Sequence, residues 1–218
     1  YSAGADALVA KKNIKNTRDL KGKIVGSEIG TVSHFTLLKA LEKAGLKETD
    51  VKIMNLGMTD LPKAFSIGSI QAAATWEPFA SQMVKKDQGH IIFSSKEIPE
   101  SIVDVLVVQK DVYLDRKPDF TKIFKVWFKS LDYLKKNRAE SLQYISKAHG
   151  GSPNEIESQL KGVHLAGKEE NLKALGRGEV QGTLFKSIED LEKFLRKHSL
   201  LKNPLKPSKL YVNDSVRD

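Results

Sequence analysis

One asymmetry constrains the fold more than any other feature of this sequence. Up to about Phe93, short strand-like runs alternate with amphipathic helical patterns, and beyond Val108 only helical patterns follow. Ala7–Ala10, Lys23–Gly26, Val51–Asn55, Gln71–Thr75 and His90–Phe93 read as strands. The polar turn Asn16-Thr17-Arg18-Asp19 separates the first two. Between the later ones, Ser33 to Ala44 carries Phe35, Leu37, Leu38 and Leu41 at helical spacing and stops at Gly45. Thr59-Asp60-Leu61-Pro62 predicts a capping side chain ahead of an early proline, with Gly68 ending that helix, and Pro78–Lys86 predicts another. Strands separated by helical stretches argue for crossover units and a mostly parallel sheet, an α/β class.

Asp104-Val105-Leu106-Val107-Val108 is the most β-prone run in the chain and predicts a last strand. Helices follow over about Asp119–Lys136 and Ala139–Ala148, then one opened by the capping box Ser152-Pro153-Asn154-Glu155. Lys168–Leu175 and about Leu184–His198 complete the helical part, and Pro204, Pro207 and Asn213–Asp218 form a polar tail. Helices with apolar stripes need a surface to pack on. Either these form a bundle of their own or a partner sheet lies outside this chain.

Composition excludes several classes. At 29% charged residues, no apolar run reaches the ~20 residues of a membrane span. The absence of cysteine removes disulfides, thiol nucleophiles and Cys-ligated metal. The net charge of +9 is spread thinly: 14 basic against 11 acidic groups in residues 1–100, and 22 against 16 in 101–218. Single lysines such as Lys39, Lys43 and Lys47 read as a solvated surface, so nucleic acid is not an expected partner.

Three segments carry site chemistry. Gly30-Thr31-Val32-Ser33-His34 joins a strand to a helix, where unpaired N–H groups and the positive dipole end can hold an anion. Thr31, Ser33 and His34 could add donors there, or Thr31 or Ser33 could simply cap the helix. Trp76-Glu77-Pro78-Phe79 ends a strand and opens a helix, at the strand end where open α/β sheets place ligands. Trp76 could wall a pocket and Glu77 meet a cation, or they could be a core ring and a first-turn acid. Asp104 heads the apolar run, where a charge needs a partner or water: an ammonium group or backbone N–H groups would serve. The five histidines show no metal-binding spacing, there is no Gly-x-Ser-x-Gly elbow or phosphate loop, and Gly176-Arg177-Gly178 lacks the third glycine of a dinucleotide fingerprint. No catalytic residue, metal or cofactor is expected.

Taken in order, Gly4-Ala5-Asp6-Ala7-Leu8-Val9, Asp19-Leu20-Lys21-Gly22-Lys23, Ser33-His34-Phe35, Trp76-Glu77-Pro78-Phe79 and Asp104-Val105-Leu106-Val107-Val108 resemble the periplasmic solute-binding proteins of ABC importers for taurine, alkanesulfonates and nitrate, a family that includes thiamine-precursor binders. The resemblance implies a type II periplasmic-binding fold of two lobes with mostly parallel sheets, lobe one being incomplete in this chain. It implies lobe two over 17–98, with 1–16 and 99–218 forming the lobe one portion and the helical C-terminal region. It implies that Thr31, Ser33 and His34 bind the anionic head of the ligand, that Ser2 and Gly4 line the cleft, and that Trp76, Glu77 and Asp104 contact the rest. At Asp104, taurine-type binders place a carboxylate for the amine. The partners implied are a small anionic metabolite and an ABC permease in the membrane. A monomer is expected, possessing no enzyme activity, located in the periplasm or outside the cell, with a lipid anchor on the full-length precursor compatible with that location. A missing N-terminal segment would complete lobe one. A ligand-sensing input domain and a pyrimidine-precursor binder are the alternatives on the same fold.

Overall fold

The computed structural model describes residues 1–85, 89–176 and 181–206, with Leu210 and Val216. Arg177 and Gly178, Lys86 at the end of the predicted Pro78–Lys86 helix, Pro207 and all of the Asn213–Asp218 tail except Val216 lie outside the described residues. The chain divides into two compact units, one of Tyr1–Val103 with Ser158–His164, the other of Asp104–Glu157 with Leu165–Asp218.

The first unit is built on a sheet of β1 (Asp6–Lys11), β2 (Ile24–Ser27), β3 (Lys52–Asn55), β4 (Ala72–Trp76) and β5 (Gly89–Ser94) in the order β3-β2-β4-β1-β5. β2 pairs in parallel with β3 and β4, while β1 pairs antiparallel with β4 and with β5. Four strands therefore run one way and β1 runs against them, which is the mostly parallel sheet expected. The reversal has a local cause. A parallel connection needs a crossover of a dozen or more residues, usually helical. Between Lys11 and Ile24 the chain forms only the short turn Thr17–Leu20, opened by Asn16, whose side chain accepts from Arg18 N–H. That is enough to turn the chain back at one edge of the sheet.

β1, which precedes the 17–98 range expected for lobe two, hydrogen-bonds between β4 and β5 as the fourth of the five strands. Its burial explains this: Ala7, Leu8, Val9 and Ala10 are all fully buried, as a strand covered on both faces requires.

Helices α1 (Val32–Lys43), α2 (Leu61–Ser66) and α3 (Phe79–Lys85) pack on the sheet. Ala7, Val9, Ala73, Leu61, Phe65, Ile70, Ala80 and Met83 form one core cluster. Leu37, Leu38 and Leu41 are buried on α1, which packs on β1 and β4. Gly45, at φ +75°, ends α1 as predicted, with the Leu46 N–H returning to the Leu41 carbonyl. At α2 the proline stands in the first turn, but Asp60 makes no side-chain cap, contrary to expectation. Its backbone is already helical (φ −90°, ψ −22°), which points the side chain away from the first N–H groups.

The second unit is helical: α4 (Lys110–Asp115), α5 (Lys117–Lys136), α6 (Arg138–His149), α7 (Pro153–Leu160, ending in the first unit), α8 (Lys168–Leu175) and α9 (Thr183–Lys197). The Ser152 capping box forms, with Ser152 N–H donating to Glu155 and Glu155 N–H donating to the Ser152 hydroxyl. The Tyr133 hydroxyl of α5 donates to Glu140 of α6, pinning the two helices, and with the Tyr144 hydroxyl, which donates from within α6, it holds that carboxyl below the usual carboxylate range. The strand predicted at Asp104–Val108 does not form, because no described strand lies beside it to accept its backbone bonds.

Gly26, in β2, faces Leu61 and Ile70 so closely that a Cβ would stand 2.6 Å from a methyl carbon of each. Gly26→Ala is expected to cost about 1–3 kcal/mol through overpacking. Urea unfolding should show this as a lower midpoint at unchanged slope.

Candidate functional site

Register brings most of the predicted site residues to one rim of the first unit. Ser27 stands opposite Asn55, Asp6 opposite Trp76 and Ala7 opposite Ser94. The carboxyl ends of β2, β3, β4 and β5 and the start of β1 thus share an edge. Thr31, Ser33 and His34 follow β2 there, Trp76 and Glu77 end β4, and Ser2 and Gly4 lead into β1. Asp104 belongs to the other unit, is exposed, and makes no hydrogen bond to a described residue.

At the start of α1 the first helical bond is Phe35 N–H to the Thr31 carbonyl. The N–H groups of Val32 and Ser33 have no acceptor among the described residues, and the first turn holds no acidic side chain. Unpartnered donors at the positive end of a twelve-residue helix are the chemistry that favours an anion.

The hydroxyls here do not cap the helix; they bond within the turn. Thr31 makes no capping bond; its Oγ1 donates to the Glu28 carbonyl at 2.7 Å and lies 2.9 Å from the Ser33 hydroxyl. Ser33, fully buried, also meets the Ser27 hydroxyl at 3.2 Å and accepts the Glu28 N–H at 3.3 Å. Together they brace the turn from β2 into α1 and hold its amides in place. His34 is turned inward: Nδ1 accepts the Gly30 N–H and Nε2 faces Glu48, each at 3.4 Å. With Nδ1 accepting, the ring proton sits on Nε2 and goes to Glu48.

The remaining residues are equally committed. Trp76 is half-buried against the core cluster. Glu77, before a cis bond to Pro78, accepts from the Ser81 N–H at 3.2 Å and the Ser81 hydroxyl at 2.8 Å, so it serves the first turn of α3. Ser2 Oγ lies 2.7 Å from Ser95 Oγ and accepts the Asp6 N–H, while the Gly4 N–H donates to Ser95. Gly4, at φ +127°, leaves room for the Lys96 stem, whose Cε would be 2.8 Å from a Cβ there.

Sequence reasoning missed Ser27, Asn55, Ser95 and Lys96. Asn55 Oδ1 accepts the Ile29 N–H at 3.0 Å and ties the loop after β2 to the end of β3. Its place at the end of a predicted strand was the available signal. Ser95 meets Ser2 across 93 residues of chain, and no local pattern announces that contact.

Residues 2–148 match the sequence profile of the NMT1-like family. The chain belongs to that family. Among its relatives, the taurine-binding periplasmic protein of Escherichia coli K12 is 26% identical over 211 residues, covering 88% of this chain and 61% of the relative. This NMT1-like chain thus spans less than two thirds of that relative's length. The periplasmic aliphatic sulphonate binding protein SsuA of Escherichia coli superposes with a TM-score of 0.81 at 19% identity, over 98% of this chain and 71% of SsuA. The desulfurization enzyme DSZB shares the fold, with a TM-score of 0.70 at 13% identity over 99% of this chain and 76% of the enzyme.

Ser33→Ala removes the hydroxyl on which Ser27, Glu28 and Thr31 converge. It is expected to lower stability by about 1–2 kcal/mol, since buried partners are left unpaired. Thermal unfolding of the variant beside the parent protein measures this.

Proposed function

We propose that this protein captures a small organic sulfonate, taurine or an alkanesulfonate, as the solute-binding component of a periplasmic ABC importer. The observation that carries the reading is the start of α1. The Val32 and Ser33 N–H groups have no acceptor among the described residues, at the carboxyl rim of the sheet, on a turn braced by the hydroxyls of Ser27, Thr31 and Ser33. A sulfonate presents three oxygens and one delocalised charge, which suits donors that converge but do not titrate. The names of the taurine-binding relative and of the sulphonate-binding structure support the same ligand class. Location in the periplasm, in partnership with a membrane permease, rests on those names too. No helix among the described residues is long and apolar enough to cross a membrane.

Binding rather than turnover is supported by how the rim's side chains are spent. His34 is held by the Gly30 N–H and the Glu48 carboxylate, and Glu77 by the Ser81 N–H and hydroxyl, so both have partners within the chain. The DSZB likeness concerns the fold alone.

Taurine and ethanesulfonate at about 100-fold above Kd should each stabilise the protein by about 2.7 kcal/mol, read as a rise in Tm. Val32, 43% exposed in the first turn, tolerates a carboxylate sterically. Val32→Glu should weaken sulfonate binding at least tenfold in calorimetric titration, because the new charge occupies the dipole end. Unchanged affinity in that variant would place the ligand elsewhere.

A further inference from the structure

Four consecutive amides of the turn from β2 into α1 each have an acceptor, and the next two have none. The Glu28 N–H donates to the Ser33 hydroxyl, the Ile29 N–H to Asn55 Oδ1, the Gly30 N–H to His34 Nδ1 and the Thr31 N–H to the Glu28 carbonyl. The N–H groups of Val32 and Ser33 then have no acceptor among the described residues. Three of those four acceptors lie within residues 28–34. Asn55 reaches in from β3, so it ties the turn to a neighbouring strand rather than to itself.

Its backbone is firmly held for that task. Asn55 stands opposite Ser27 in the β2–β3 ladder, and the Leu56 N–H that follows donates to the Ser27 carbonyl. Asparagine is depleted in strands, so propensity does not account for its place there. Ile29 and Asn55 are both exposed, and water would serve either as a partner. The bond therefore matters more for direction than for stability. It also fixes which way the carboxamide lies. Only its oxygen accepts, so Oδ1 faces the Ile29 N–H and the NH2 group is turned away from it. That NH2 group has no acceptor among the described residues. It is a further donor that does not titrate, on the rim that carries the start of α1.

We propose that Asn55 is a positioning and selectivity residue for the sulfonate. Its oxygen fixes the turn ahead of the Val32 and Ser33 N–H groups, and its NH2 group donates to the same anion. The inference rests on the sulfonate reading and adds to it a side chain from a different strand.

The test compares two variants by calorimetric titration with ethanesulfonate. Asn55→Asp keeps the acceptor for Ile29 but puts negative charge in place of the donor, whereas Asn55→Ala removes both. Asn55→Ala should bind about tenfold more weakly than the parent protein, and Asn55→Asp more weakly still. The Ile29 amide resonance separates the two roles: it should leave its hydrogen-bonded position in Asn55→Ala and keep it in Asn55→Asp. A residue that only braces the loop predicts the opposite order of affinities, because aspartate retains the brace. Parent-like affinity in Asn55→Ala, or Asn55→Asp binding no more weakly than Asn55→Ala, overturns the inference and leaves the sulfonate reading standing. A parent protein that binds no ethanesulfonate overturns that reading and this inference with it.

Discussion

The first unit depends on how closely its helices approach the sheet. β4 offers Ala72, Ala73, Ala74 and Thr75, all fully buried, and β2 contributes Gly26, against which Leu61 and Ile70 press. Side chains this small at the centre leave space for larger ones from the helices, and Phe65, Leu37 and Leu41 fill it. A bulky residue in β4 would lift a helix from one face, and the rim would go with it. The position of the α1 start follows from that packing, since α1 lies on β1 and β4 while its leading turn is tied to β2.

Much of this was legible in the primary structure because the signals were local. The α1 pattern Phe35, Leu37, Leu38, Leu41 with Gly45 placed the helix to within a residue, and the five strand runs of the first unit were found. The direction of β1 was not. Its orientation depends on what the Lys12–Lys23 connection does, and the signal lay in a polar turn where a crossover helix would be needed. The run at Asp104–Val108 was misjudged for the opposite reason: strand propensity describes what a segment suits, whereas a strand exists only when a neighbour accepts its bonds.

The site divides along the same line. Strand-end topology drew attention to Thr31, Ser33, Trp76 and Glu77, and register does gather them with Ser2 and Gly4 on one rim. Their roles were not readable from residue type. Ser33 and Thr31 look like donors to a ligand, yet each spends its hydroxyl on Glu28 and on the other. Only the tertiary contact with Ser27, and the inward turn of His34 toward Glu48, show that these side chains brace the turn, while the Val32 and Ser33 N–H groups have no acceptor among the described residues.

That division of labour has a consequence for behaviour. Main-chain amides neither gain nor lose protons at any acidity a cell surface meets, and their dipoles are fixed once the fold is made. A trap assembled from Val32 and Ser33 in this way would grip its cargo with equal strength in acidic and alkaline surroundings, the setting being governed only by whether the cargo itself stays ionised. Since the sulfonate group is that of a strong acid, its contact with those two amides would not vary with pH, and any pH dependence would come from the rest of the ligand.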